Sequence, residues 1–303
     1  MKVFITGATG YIGSAVAETF ARAGHRVTGL VRSEAGARNL AAREVSAVAG
    51  SMEAPESYRR AAQEAQVLVH CAAEMSGRGA ELDRTTVETL LAAAAEAGRP
   101  RLVVYTSGVW VLGDTGGEAA DESAPLRAPA VVAHRVDTEG RVLGASTGAV
   151  RTLVLRPGCV YGGRGGLTGM WFASAAADGA ARMVGDGGNR WSMVHVDDLA
   201  RLYLLAAESP WGGEVFNATD RSRFTVRQCA EAASREAGAA GRVAAVPVEE
   251  AAAGLGGVAE CLAMDQHVDS SKAVRLLGWQ PRHAGFVDEV ARAFAAWRAA
   301  SGD

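Results

Sequence analysis

Lysine is nearly missing from this chain: among 303 residues it occurs twice, as Lys2 and Lys272, while arginine and alanine abound. The scarcity reads as codon bias in a GC-rich genome and carries no function. No run of basic residues is present and the formal net charge is −3, so the electrostatic footprint of a nucleic-acid-binding surface is missing. Cysteine is sparse too. Cys71, Cys159, Cys229 and Cys261 lie far apart with no C-x-x-C pair, which argues against a zinc site or a disulfide framework and fits a reducing, cytoplasmic setting. No apolar run reaches the length needed to span a bilayer, so no membrane partner is expected. A strand pattern entered at Lys2 is expected to leave no room for a signal peptide. The remainder, 49% hydrophobic and 21% charged, suits a globular protein with a sizeable core in one large domain or two coupled ones.

Short apolar runs alternate with alanine-rich helical stretches. "KVFITG" is a strand and "YIGSAVAETFARAG" a helix stopped by Gly24; "HRVTGLVR", "EVSAVAG", "AQVLVHCAA", "RLVVYTSG" and "VRTLVLRPG" continue as strands with helices between most of them. The alternation predicts an α/β fold, a doubly wound parallel sheet of Rossmann type. After Tyr161 the glycine-rich loops "YGGRGGLTGM" and "GDGGNRW" flank a small-residue helix, and a final helix runs through "GFVDEVARAFAAWRAA". The expected organisation is a dinucleotide-binding domain of residues 1–163 plus about 191–219. A smaller substrate-binding lobe takes 164–190 plus 220–303.

"TGATGYIG" sets Gly7, Gly10 and Gly13 between the first strand and the first helix. Gly7 allows the sharp turn, Gly10 lets the backbone approach a pyrophosphate, and Gly13 lets the helix pack close to the sheet. The free N–H groups that open the helix then face the anion. Thr9, Tyr11 and Ile12 share this turn. The second strand ends in "GLVRSEAGAR", where an acid that bonds the ribose of NAD would stand. Arg32 and Ser33 occupy that place. A guanidinium there suits a 2′-phosphate, so NADP(H) is expected in preference to NAD(H). The competing reading leaves Arg32 in solvent and gives the ribose to Glu34.

With these motifs and several more, the chain resembles the extended short-chain dehydrogenase/reductases, the group that contains NDP-sugar epimerases and dehydratases. "VLVHCAA" is similar to the family's fourth-strand motif, which implies Ala72 and Ala73 along the cofactor. "LRPGCVYG" resembles the segment after the sixth strand, which implies Pro157, Gly158 and Val160 beside the nicotinamide amide. "SMVHVDDLARLYLLAAE" and "VDSSKAVRLLGWQPR" resemble two C-terminal signatures. Ser51, Met52 and Thr106 complete the implied cofactor contacts. The resemblance also implies a Ser or Thr, a Tyr, and a Lys four residues after the Tyr, with the Tyr relaying a proton and the Lys holding the ribose. Placed by neighbouring landmarks, these positions fall on Gly108, Val131 and Arg135. All three have changed. Val131 has no proton to give, and "VVAHRVDTEGRVL" contains neither Tyr nor Lys. Arg135 reads either as a cofactor clamp or as a surface arginine.

Candidate replacements for the relay are weak. Ser107 sits beside the vacated position but has no adjacent base; capping a strand end is its other reading. Tyr161 lies near the nicotinamide end and is a packing residue in the family. His134, next to Arg135, is expected to point away, and His195 to be structural. Met75, Trp110, Trp171 and Trp191 are candidate walls for a flat substrate. A substrate with an acidic hydroxyl beside its ketone could stabilise the developing alkoxide itself, as a phenol next to an aryl ketone would. The reading is therefore an atypical NADPH-dependent ketoreductase acting on a secondary metabolite, an activity known among antibiotic-pathway members of the family. The alternatives are an NDP-sugar epimerase or dehydratase, and a non-catalytic NADP(H)-binding sensor or partner protein. The expected partners are a small-molecule substrate and, by resemblance, a second copy of the chain.

Overall fold

The computed structural model describes residues 1–74 and 77–302. Five strands and five helices alternate through the first half: β1 (Lys2–Thr6), α1 (Tyr11–Arg22), β2 (Arg26–Val31), α2 (Glu34–Ala41), β3 (Ser46–Ala49), α3 (Glu56–Glu64), β4 (Val67–His70), α4 (Gly79–Glu96), β5 (Arg101–Thr106) and α5 (His134–Gly144). The strands Val150–Pro157 and Glu214–Ala218 complete a seven-stranded sheet. From one edge the order is Glu214–Ala218, Val150–Pro157, β5, β4, β1, β2, β3, and every pairing is parallel. The α/β doubly wound sheet expected from the sequence is thus present.

Because successive residues of a strand face opposite sides, near-continuous apolar strands build two cores. Val3, Ile5, Val67, Val69, Leu102 and Val104 pack with Val16 and Phe20 of α1 and with Leu199, Leu202 and Tyr203 of the helix Val196–Glu208. Phe4, Leu68 and Val103 face the other side, against Tyr58 of α3 and Leu90 and Ala93 of α4. A third cluster, built on Trp171, Phe172, Met183, Met193 and Phe286, lies outside the sheet.

Three elements differ from the sequence reading. The strand Glu214–Ala218 was not anticipated: "EVFNA" is short, and its buried register comes from pairing with Val150–Pro157. Helix α4 begins at Gly79, ahead of the expected start near Arg84. The helix expected over 131–143 is broken into a short 3-10 turn, Ala130–Val132, followed by α5. Among the described residues, no helix is long and apolar enough to cross a membrane.

The sheet order reverses between β1 and β4, where the next strands lie on opposite sides. In sheets of this kind, ligands bind outside the carboxyl ends of the strands at such a switch point.

Candidate functional site

The turn after β1 is held by sterics. Gly7 has φ +72°, and a Cβ there would stand 2.6 Å from the Ala72 backbone nitrogen after β4. A Cβ on Gly13 would stand 2.1 Å from the Gly7 carbonyl oxygen. Neither position accepts a side chain, so the turn, β4 and α1 pack backbone to backbone. Gly10 caps α1 with no side-chain hydrogen bond, which leaves the first helical N–H groups to an anion. A dinucleotide's diphosphate fits this cradle.

Two cavities flank the turn. The smaller, about 280 Å³, is lined by Gly7, Thr9, Gly10, Arg32, Ser51 and Met52, with Ala72, Ala73, Glu74 and Arg78 opposite. The Arg32 side chain is 80% exposed, 3.9 Å from Glu74. The Ser33 hydroxyl is turned inward and caps α2 by accepting from the Gly36 N–H.

The larger cavity, about 550 Å³, opens on the other side of the turn. Tyr11, Ile12, Pro157, Gly158 and Val160 form its floor. Ser107, Gly108, Val109 and Trp110 come from the chain after β5, and Val131, Val132, His134 and Arg135 from the start of α5. Gly108, Val131 and Arg135, the residues expected at the relay positions, therefore line one cavity. Arg135 donates from Nη1 to the carbonyls of Thr106 (3.0 Å) and Ser107 (2.8 Å), pinning the chain end that carries Gly108. Ser107 Oγ is buried with no hydrogen-bond partner among the described residues. The Tyr11 hydroxyl donates to the Gly162 carbonyl at 2.6 Å, and burial pushes its pKa well above the ordinary tyrosine value.

Sequence reasoning passed over two groups here, Asp83 and Arg164, and misplaced a third, His134. Asp83 of α4 lines the larger cavity. Its carboxylate accepts from Tyr105 (2.9 Å) and Thr138 (3.2 Å) and contacts His70 Nε2 (3.2 Å), whose Nδ1 lies 2.6 Å from Thr6 Oγ1. Burial alone would raise the Asp83 pKa, but His70, Tyr105 and the charge of Arg135 outweigh it and the net shift is downward. The signal was available: Asp83 stands next to Leu82 and one turn before Thr86 and Val87, on the buried face of α4. Arg164, from the loop after Tyr161, donates to the Thr9 carbonyl at 3.0 Å and reaches over the glycine turn; nothing in its local sequence announces that. His134 was expected to face away. It lines the cavity instead, as Arg135 does: the two residues open α5 at the cavity. Burial lowers its pKa; Asp83 pulls the other way and Arg135 adds to the lowering.

Other candidates lie elsewhere. Tyr161 is fully buried, edge-on to His195 and Phe286, and outside the larger cavity. Trp171 and Trp191 stack at 4.9 Å, and Trp191 donates to the Leu262 carbonyl, so both pack in the cluster around Phe172 and Phe286 instead of walling a substrate. Only Trp110 of the proposed tryptophan walls lines the cavity. The Thr106 hydroxyl turns into the interior, 2.6 Å from Tyr203 Oη. His195 accepts from the Asp197 N–H and stacks on His283. Met75 lies outside the described residues.

Comparison with known proteins agrees with this architecture. A Schizosaccharomyces pombe protein, Uncharacterized protein C2A9.02, is 27% identical over 302 residues, 96% of this chain and 98% of that protein. The 4-hydroxy-2-methyl-3-oxo-4-farnesyl-3,4-dihydroquinoline-1-oxide ketoreductase of Stigmatella aurantiaca is 33% identical over 236 residues, 75% of this chain and 70% of that enzyme. The crystal structure of UDP-glucose 4-epimerase from Thermotoga maritima with UDP-glucose superposes with a TM-score of 0.84 at 21% identity, covering 99% of both chains; that likeness speaks for the fold. Residues 3–219 match the model of the NAD dependent epimerase/dehydratase family, and the chain belongs to that family of NAD(P)-dependent enzymes.

Proposed function

We propose that the chain is an atypical NADPH-dependent ketoreductase acting on the ketone of a secondary metabolite, with an aryl ketone carrying a neighbouring phenol as the substrate class. The observation that carries this reading is the larger cavity. It abuts the glycine turn, its walls are largely apolar, and it is lined by Gly108, Val131 and Arg135, the residues that the resemblance puts at the family's relay positions. Oxidising a sugar hydroxyl, as an epimerase or dehydratase must, needs a base at the Val131 position. Reducing a ketone makes a smaller demand when the substrate shares the alkoxide charge with its own phenol. The resemblance to a ketoreductase supports the same direction.

The glycine turn, Ala72 and Ala73 would hold the cofactor, with Arg32 at a 2′-phosphate and Pro157 to Val160 beside the nicotinamide. Bound NADPH would supply the hydride. Arg135 positions the chain end after β5 and offers its remaining N–H groups to the ribose. Ser107 offers a hydroxyl to the ketone oxygen. Ile12, Trp110, Val131 and Leu167 keep water from the reacting carbon.

The test is NADPH oxidation against ortho-hydroxyacetophenone and UDP-glucose, with NADPH affinity measured in parallel. Turnover of the hydroxyaryl ketone is expected. Action on UDP-glucose alone would reinstate an epimerase, and tight NADPH binding without turnover of any ketone would make the protein a sensor.

A further inference from the structure

We propose that His134 is the proton donor of the larger cavity, protonating the oxygen of the reduced ketone. The assignment rests on the ketoreductase reading and adds a catalytic residue where the altered relay left none. Six titratable side chains line the cavity among the described residues: Tyr11, Glu74, Asp83, His134, Arg135 and Cys159, whose thiol burial makes a weaker acid still. Tyr11 has spent its proton on the Gly162 carbonyl. Asp83 is an acceptor with its oxygens engaged by Tyr105, Thr138 and His70. Arg135 stays protonated and is anchored to two carbonyls. Glu74 belongs to both cavities and lies 3.9 Å from Arg32, and a carboxylate accepts protons at neutral pH.

His134 remains, and it is the one cavity-lining imidazole. It stands three residues after Val131, across the join between the 3-10 turn and α5, and both side chains line the cavity. Its ring thus reaches the wall that a tyrosine at 131 would have served. Burial disfavours the imidazolium most and Arg135, on its own helix, adds to this; Asp83 on α4 opposes them, and the net shift is downward, so the protonated donor is populated toward acid pH. The ring is half-buried, so water can restore the proton after each turnover.

The step balances. NADPH is the reductant; as the carbonyl carbon accepts a hydride, the C=O π pair moves onto oxygen. An N–H bond of the His134 imidazolium breaks and an O–H bond forms, giving an alcohol and a neutral imidazole that is reprotonated from water. A phenol beside the ketone can pass its own proton across first, and His134 then reprotonates the phenolate. A methoxy group in the same place removes that detour.

The experiment compares ortho-methoxyacetophenone with ortho-hydroxyacetophenone in the full-length protein and in His134→Gln. For the methoxy ketone, His134→Gln is expected to lower kcat about 100-fold, the span of general acid catalysis, with a markedly smaller loss for the hydroxy ketone. Wild-type kcat for the methoxy ketone falls as pH rises through a midpoint below 6.5, the ordinary histidine value, and the variant lacks this dependence. Added imidazole restores part of the activity of His134→Ala. Independently of turnover, ortho-methoxyacetophenone shifts the His134 ring-proton NMR resonance, assigned by its loss in His134→Gln. Unchanged NADPH affinity of the variant excludes loss of folding. Equal kcat and an equal pH profile in the two proteins, or no NMR shift, would overturn the assignment while leaving a reductase in place. Failure of the wild type to reduce either ketone would bring down both readings.

Discussion

Arg156 and Glu139 form a buried bidentate ion pair, with Arg156 Nε donating at 3.0 and 3.2 Å to the two carboxylate oxygens. The side chains are 4% and 2% exposed. The pair joins the carboxyl end of the strand Val150–Pro157, second from the sheet edge, to α5, the helix that presents His134 and Arg135 to the larger cavity. Removing one partner strands a charge in a low-dielectric interior. Glu139→Ala is therefore expected to cost about 3–5 kcal/mol of folding stability, read as a lower urea midpoint. Replacing both residues together, Glu139→Leu with Arg156→Met, should cost much less, because no charge is then left unpaired. A single variant as stable as wild type would show that the pair does not fix α5.

The cofactor preference turns on Arg32. Its exposed guanidinium stands at the smaller cavity, near Glu74. A 2′-phosphate would add a charge-assisted bond to a side chain otherwise in solvent. Arg32→Ala should weaken NADPH about ten-fold, in line with one such bond, and leave NADH affinity within a factor of about two. Fluorescence titration with both cofactors measures this. Equal weakening of both would remove the 2′-phosphate assignment and return the ribose to Glu34.

How much of this was readable without coordinates depends on whether a feature is local. The glycine turn was, because its constraints act within a few residues: the positive φ of Gly7 and the contact of Gly13 with the Gly7 carbonyl. The parallel sheet was, because long apolar strands signal burial on both faces. The strand Glu214–Ala218 was not, since its burial is supplied by a neighbour from far away in sequence. Trp171 and Trp191 show the same limit. On glycine-flanked segments they read as a ligand wall, yet they find each other and a lobe core that no local pattern reveals. His134 failed for a subtler reason. Adjacent helical positions point about 100° apart, and nothing local shows that the cavity at the start of α5 is wide enough to take in both His134 and Arg135.

Asp83 gives a pH-dependent signature. Its folded-state pKa lies below the ordinary value of 3.8, with burial overcome by His70, Tyr105 and Arg135. A carboxylate depressed on folding contributes stability that is fully present above the unfolded value and lost as pH falls through the folded one. Asp83→Asn should thus be less stable than wild type at neutral pH. The gap should stay constant down to about pH 5 and close below pH 4, as the unfolded carboxyl and then the folded one take up protons. Thermal melts across that range test the sign. A gap that widens in acid would mean that the side chain is protonated in the folded state.

The altered relay can be rebuilt, and the structure indicates that the space exists. Gly108 has an extended backbone, φ 176°, and a Cβ there would meet nothing closer than the Pro157 carbonyl at 3.8 Å. Val131 is 37% exposed at the cavity edge, so a larger ring can enter without displacing core. Arg135 is the harder exchange, because its Nη1 spans the Thr106 and Ser107 carbonyls and an ammonium reaches only part of that geometry. Gly108→Ser with Val131→Tyr and Arg135→Lys should nonetheless raise kcat for ortho-methoxyacetophenone at least ~10-fold, the lower reach of a positioned acid. The gain should appear in kcat more than in KM, since a proton donor acts on the transition state. Omitting Arg135→Lys should forfeit most of it, because the Arg135 guanidinium stays anchored to the Thr106 and Ser107 carbonyls and is bulkier than the ammonium that would sit beside the tyrosine. If the triple variant binds NADPH as well as wild type and gains nothing, then Gly108, Val131 and Arg135 share a wall without occupying the relay's positions, and the site works by geometry of another origin.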